Sequence, residues 1–249
     1  MTVLFSPSEA KHSSGVNIPI AKEHYLFPEL FDDRVSVLHA YNEYLLHAST
    51  EALMKLFGTK KESTLAYYRH DLFTQPTMKV VERYSGVAYE YLHYSNLISS
   101  EQTYIDCHVI IFSNLFGPLR AGDIGLPDYK LKQGEKIGTL VPEHFYKEHF
   151  TSALNDLLEQ EPYLDLRAGF YNKFYKPTSP YTTLKFMKEG KVVSHWAKAY
   201  RGIVLRSMAQ QQIHSMEAFM AMEIENLIVK EILRKGIHTE IVYDIVAGT

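Results

Sequence analysis

Apolar positions along this chain change period several times, and each change marks an element. Thr2–Phe5 is a short apolar run stopped by Ser6, Pro7 and Ser8, which predicts a buried strand. Residues 9–25 are polar and irregular, with Gly15 and Pro19. Pro28 opens a stretch in which Val35, Leu38, Tyr41, Leu45 and Leu46 recur at helical spacing. Thr50–Phe57 predicts a second helix, with Gly58 placed to stop it. Residues 59–75 predict a third helix and Pro76–Arg83 a short fourth. Tyr84–Tyr89 interrupts the pattern at Gly86. Ser99 and Ser100 start a further helix with Glu101 in its first turn. Val109–Phe112 is the clearest strand in the middle of the chain. Pro142 opens a helix reaching Glu161, striped by Phe145, Phe150, Ala153, Leu154 and Leu157. Tyr163–Leu166 follows as a strand. Thr182–Lys188 and Val192–Trp196 flank Glu189-Gly190 as a β-hairpin. Ala197–Ile213 reads as a helix. Beyond it, either Met216–Leu233 is one helix, or Leu227–Leu233 and Thr239–Val246 pair around Lys235-Gly236. The β-branched residues of Ile237–Val246 favour the hairpin.

Strands and helices mix without regular alternation, which predicts an α+β fold with a mixed sheet and helices outside it. No Pro/Ser-rich linker divides the chain, so residues 1–249 are expected to form a single compact domain. The stretch Ile110–Gly138 stands apart. An apolar start gives way to a run with glycines at 117, 122, 125, 134 and 138 and prolines at 118 and 127. Between them sit Arg120, Asp123, Asp128, Lys130, Lys132, Glu135 and Lys136. Long irregular segments in compact domains are often functional, so Gly117–Gly138 is expected to be a loop lining a cleft.

Composition narrows the class. The chain has 249 residues, 46% hydrophobic and 22% charged, enough to bury a sizeable core. No apolar run reaches the roughly 18 residues of a membrane span. The start, MTVLFSPSEAK, lacks the charged and apolar regions of a signal peptide, so a cytoplasmic protein is expected. Cys107 is the one cysteine, which excludes a disulfide within the chain and reads as a buried small hydrophobe.

Charge is uneven. The net value is only −3, yet Arg167–Arg206 holds nine basic side chains against the single acid Glu189. That local +8 leaves −11 for the rest and points to a basic surface for an anionic partner. Lys173, Lys185, Lys198, Arg201 and Arg206 are the candidate phosphate contacts, and aromatic residues interleave with them. Lys198 and Arg201 share a helix face, in what the pattern makes a first helical turn. Cations there oppose the helix dipole unless something negative faces them, either Asp123 or a bound phosphate.

Familiar catalytic motifs are absent: there is no G-x-S-x-G, no P-loop, no H-E-x-x-H and no paired C-x-x-C. His144 and Glu148 share a helix face, but no further ligands stand at metal-binding spacing. No metal and no cofactor are therefore expected.

Four segments resemble, in order, motifs of the YaaA family, a bacterial peroxide-stress family. They are SPSEAK (6–11), YSGVAYEYL (84–92), LFGPLRAGDIGLPDYKLKQG (115–134) and WAKAYRGIVLR (196–206). The family's glutamate in its S-x-E-Y-F-K motif is Phe170 here, and its C-terminal GY-F element is not recognisable. The resemblance implies a cytoplasmic protein that keeps free intracellular iron low and limits oxidative DNA damage. It also implies a compact α+β fold with a positively charged cleft that binds double-stranded DNA, or another phosphate-bearing ligand, through a helix-hairpin-helix-like element. It carries Gly86, Tyr89, Gly117, Gly134 and Gly202 over as structural positions. One shared site is expected, built from Ser6 and Lys11, from Arg120 and Asp123, and from Lys198 and Arg201. The alternative is an enzyme acting on a nucleotide or small anionic metabolite through Arg120, Asp123, Lys198 and Arg201. A monomer without membrane contact is expected.

Overall fold

Val3, Leu4 and Phe5 are at most 1% exposed, because their strand lies inside a sheet covered on both faces. That strand, β1 (Val3–Phe5), is the centre of the computed structural model, which describes residues 1–246. Helices α1 (Phe31–His47), α2 (Thr50–Phe57) and α3 (Glu62–Tyr68) follow. Next come β2 (Thr77–Met78), α4 (Val80–Arg83), α5 (Val87–Leu92) and α6 (Ser99–His108). The middle of the chain forms β3 (Val109–Ser113), β4 (Gly117–Arg120), β5 (Leu126–Pro127), α7 (Pro142–Leu158) and β6 (Tyr163–Asp165). The last part forms β7 (Tyr181–Lys188), β8 (Lys191–Val192), α8 (Ser194–Gln210), α9 (Met216–Ala221), β9 (Leu227–Lys235) and β10 (His238–Ile245).

The main sheet runs β4-β3-β1-β6-β7-β10-β9, with β8 paired to β7. β3, β1, β6, β7 and β10 are mutually parallel, and the edges β4 and β9 are antiparallel. The fold is therefore α+β with a mixed sheet, as the chain pattern predicts. From β1 the chain goes to β3 on one side and later returns to β6 on the other. The carboxyl ends of β1 and β6 thus form a topological switch point, where open parallel sheets leave a crevice.

Local signals account for several elements. Ser49 caps α2 by accepting from the Ala52 N–H at 3.2 Å, and Gly58 ends it at φ 64°. Glu101 reaches back to the Ile98 N–H at 3.1 Å to start α6. The tail is the hairpin, not the single helix, and β10 adds it to the sheet by parallel pairing with β7.

Other expectations are corrected. Residues 59–75 hold only the short α3 and a 3-10 turn at Leu72–Thr74, and 76–83 splits into β2 and α4. The second arm of the 182–196 hairpin ends at Val192, and α8 takes over at Ser194. Trp196 then packs on Tyr200 one turn along, with ring centroids 6.3 Å apart. Cys107 is exposed, since it falls on the solvent side of α6.

The largest correction concerns 110–138, which is no open loop. Its first part is the β3–β4 hairpin, and Leu115, Phe116, Leu119, Leu126, Tyr129, Leu131 and Ile137 are buried in the core. Arg34, fully buried, holds the hairpin turn by donating to the carbonyls of Phe116, Pro118 and Leu26. Chain that bonds its backbone this way has no need to face water.

Among the described residues, no helix is long and apolar enough to cross a membrane. The outer edge strand β9 leaves Ile228, Val229, Ile232 and Leu233 exposed, an uncovered apolar edge of the kind that pairs with other chains. Ile232→Lys is expected to change unfolding free energy by less than about 0.5 kcal/mol. It should also lower aggregation on heating, followed by light scattering.

Candidate functional site

The crevice at the switch point is occupied by a cavity of about 410 Å³. Its chemistry comes from Ser6, Ser8, Glu9, Tyr89, Gln133, Tyr171, Lys198 and Arg201. Ser6 is the first residue after β1, and its Oγ accepts the Ala168 N–H at 2.8 Å. That bond ties the loop after β1 to the loop after β6. The Tyr89 hydroxyl donates to the Ser6 carbonyl at 2.8 Å, and its ring meets Phe5 edge-on at 5.6 Å. Tyr171 donates to Asn114 Oδ1 at 3.0 Å.

Two glycines make the approach possible. Gly86 sits at φ +101°, and a Cβ there would lie 2.8 Å from Ser8 Oγ. A Cβ on Gly202 would lie 2.1 Å from the Ala88 carbonyl oxygen, so α8 rests on the backbone of α5. This contact sets Lys198 and Arg201 over the cavity. Gly202→Ala is expected to cost about 1–3 kcal/mol by overpacking, measured as a lower urea midpoint.

Arg201 is half-buried and makes no hydrogen bond or ion pair among the described residues. Burial lowers its pKa, opposed by the negative charge of Asp165. Lys198, one turn earlier, is exposed at the rim. Both lie in the second turn of α8, because the helix begins at Ser194. The expected opposition to the first-turn dipole therefore does not arise. Beneath the cavity floor, Arg167 forms a two-pronged ion pair with Asp165 at 2.9 and 2.8 Å.

Lys11 stands behind the Ser8–Glu9 wall. Its Nζ lies over the Tyr129 ring at 4.2 Å and donates to the Ser8 and Glu9 carbonyls at 3.4 Å. Burial of the ammonium lowers its pKa from 10.5 to about 7, with Asp128 opposing. Between these values the unfolded chain holds a proton that the folded chain has released, so this residue makes stability rise with pH. Below about 7 both states are charged and the burial cost is fully present. Lys11→Met is expected to remove that rise, seen as a flatter stability profile between pH 7 and 10.5 in urea titrations.

The other sequence-derived candidates lie elsewhere. Asp123 Oδ2 accepts the Leu26 and Arg120 N–H groups, both at 2.8 Å, and burial raises its pKa. It shapes the chain after β4, at the far edge of the sheet, and faces neither Lys198 nor Arg201. Arg120 is exposed beside it. Of the 117–138 stretch only Gln133 reaches the cavity, which corrects the expected loop-lined cleft. Lys173 covers the Phe170 ring at 5.0 Å, and Lys185 lies 4.0 Å from Glu240 on the sheet. Arg206 is half-buried outside the cavity lining. Gly117 makes room for the Tyr146 ring, and Gly134 sits at φ +82° next to Phe170. The basic span is thus dispersed, and two of its cations converge on the cavity.

Sequence reading missed Ser8, Tyr171 and Gln133, and it missed the clamp Arg83. Fully buried, Arg83 donates to the carbonyls of His12, Ser14, Pro76 and Leu126, holding the segment after Lys11 in place. An arginine at an apolar helix position was the available signal for both Arg34 and Arg83.

Sheet and cavity together define a class: an α+β protein with a ligand-sized, cation-rimmed cavity at the switch point of its parallel strands. Within that class the chain belongs to the family described as peroxide stress protein YaaA, whose model matches residues 1–233. It is 48% identical over 245 residues to an uncharacterized protein of Campylobacter jejuni, covering 98% of this chain and 99% of that one. It is 32% identical over 216 residues to a UPF0246 protein of Corynebacterium efficiens, covering 84% and 85%. A UPF0246 protein of Corynebacterium glutamicum is 30% identical over 241 residues, covering 93% and 95%.

Proposed function

We infer that this peroxide stress family member binds nucleic acid in the cytoplasm through the cavity at the ends of β1 and β6, and so limits oxidative damage to DNA. The observation that carries this reading is Arg201. It is an enclosed cation with no hydrogen bond or ion pair among the described residues, facing a cavity beside a second cation, Lys198. Desolvating a cation costs free energy, and a phosphate in the cavity offsets that cost. Binding is largely independent of base sequence, because phosphate contacts carry none.

Double-stranded DNA titrated at two salt concentrations tests the reading. Two phosphate contacts give a log–log slope of about −1.8, hence roughly a tenfold loss of affinity between about 50 and about 200 mM salt. Absence of binding at low salt, or binding that ignores salt, would overturn it. An effect on free iron would then be indirect. Among the described residues, no group of three or more His, Cys, Asp or Glu side chains is placed to hold a metal ion. Uptake of ferrous iron by the purified protein would contradict that part.

A second reading, an enzyme acting on a nucleotide or small anionic metabolite, is favoured by the cavity's size. Tight binding of a nucleoside monophosphate with no binding of oligonucleotides would select it.

A further inference from the structure

We propose that the cavity takes one nucleotide extruded from a nucleic-acid strand, its phosphate on Lys198 and Arg201 and its base inside. The proposal rests on the nucleic-acid reading above and names what enters the site. A cavity of about 410 Å³ is of the size that holds a small molecule, and a duplex cannot enter it. The cations that would line a groove for a duplex are instead spread out. Lys173 is on the 3-10 turn after β6, and Lys185 is on the sheet beside Glu240.

The walls fit a base better than a bare phosphate. Phe5, Val87, Leu166 and the rings of Tyr89 and Tyr171 line them. Both tyrosine hydroxyls are already committed, to the Ser6 carbonyl and to Asn114, so the rings offer apolar surface. Aromatic surface of this kind accepts any base. The polar groups left over suit a base edge. The Gln133 side-chain amide, with two donors and an acceptor, has no hydrogen-bond partner among the described residues. The Ser6 hydroxyl accepts from Ala168 and keeps its own proton to donate. The site therefore has an apolar interior, the amide of Gln133, the hydroxyls of Ser6 and Ser8, and two cations, Arg201 enclosed and Lys198 at the rim, with the acid Glu9 also in the lining. That order matches a nucleotide, whose base and phosphate lie at opposite ends.

Extruding a nucleotide costs a few kcal/mol, least where the base is mismatched. A short duplex with one mismatched pair is therefore expected to bind roughly tenfold or more tighter than the fully paired duplex of the same sequence. Fluorescence anisotropy of labelled duplexes reads the ratio. Ala168→Phe, which fills the cavity from the loop after β6, should bring the ratio to about one. If that variant does not fold, judged by circular dichroism, Gln133→Ala should lower the ratio instead. Equal affinity for both duplexes in the unaltered protein overturns extrusion while leaving nucleic-acid binding standing. A ratio unchanged by the cavity variant that folds also overturns it. Failure to bind either duplex removes the nucleic-acid reading itself, and the proposal with it. Adenosine monophosphate binding without any duplex binding assigns the cavity to a free nucleotide and overturns the proposal.

Discussion

Asp165→Ala is expected to destabilise the protein by about 3–5 kcal/mol, the cost of stranding a buried charge. Arg167 has a side chain 1% exposed, and it has four anchors: both oxygens of Asp165 and the carbonyls of Tyr171 and Tyr175. Its guanidinium also lies over the Phe112 ring at 4.4 Å. Without Asp165 the cation keeps neutral acceptors only, inside a medium that solvates it poorly. The pair stands where β6 ends, so its loss also loosens Leu166, Ala168 and Tyr171, three residues of the cavity wall. Urea denaturation of the single variant gives the cost directly. The double variant Asp165→Leu with Arg167→Met should recover most of it, because it removes both charges together. A single-variant loss below about 1 kcal/mol would show that water reaches Arg167 and that the pair does little for stability.

Arg201→Met should have opposite effects on binding and on stability. The methionine keeps much of the aliphatic stem and removes an enclosed cation that has no hydrogen bond or ion pair among the described residues. Unfolding free energy is expected to stay level or rise by up to about 1 kcal/mol, as happens when a residue is held for function against stability. Nucleic-acid affinity should fall roughly 10- to 150-fold, from about 1.5–3 kcal/mol for hydrogen bonds to a charged group. The salt dependence should also lose about one unit of slope. Loss of stability together with loss of binding would mark Arg201 as a structural residue.

How much of this site was legible depended on the length scale of the signal. The Ser6 stop, the Gly86 break and the Lys198–Arg201 spacing are local, and all of them come together at the cavity. Arg120 and Asp123 are equally local in sequence, yet they face away from it. Asp123 is used up by the N–H groups of Leu26 and Arg120, a partnership between residues 97 positions apart in one case. No spacing rule contains that contact.

The sequence by itself determined the strand ending at Phe5, the Gly58 stop of α2, the start of α6 at Ser99 with Glu101 in its first turn, the C-terminal hairpin and the mixed α+β class. Each of these follows from short-range periodicity, capping and turn chemistry, which act over a few residues. Tertiary structure alone decided that Gly117–Arg120 is a strand held by β3 and Arg34, and that the irregular chain after it packs Leu126, Tyr129, Leu131 and Ile137 into the core rather than lining a cleft. It also decided that a span with nine basic residues would send two of them to one cavity. Charge composition is a sum over sequence, whereas a binding site is a direction in space. That direction was set by β1 lying between β3 and β6, and by a glycine at 202 that lets α8 touch the backbone of α5.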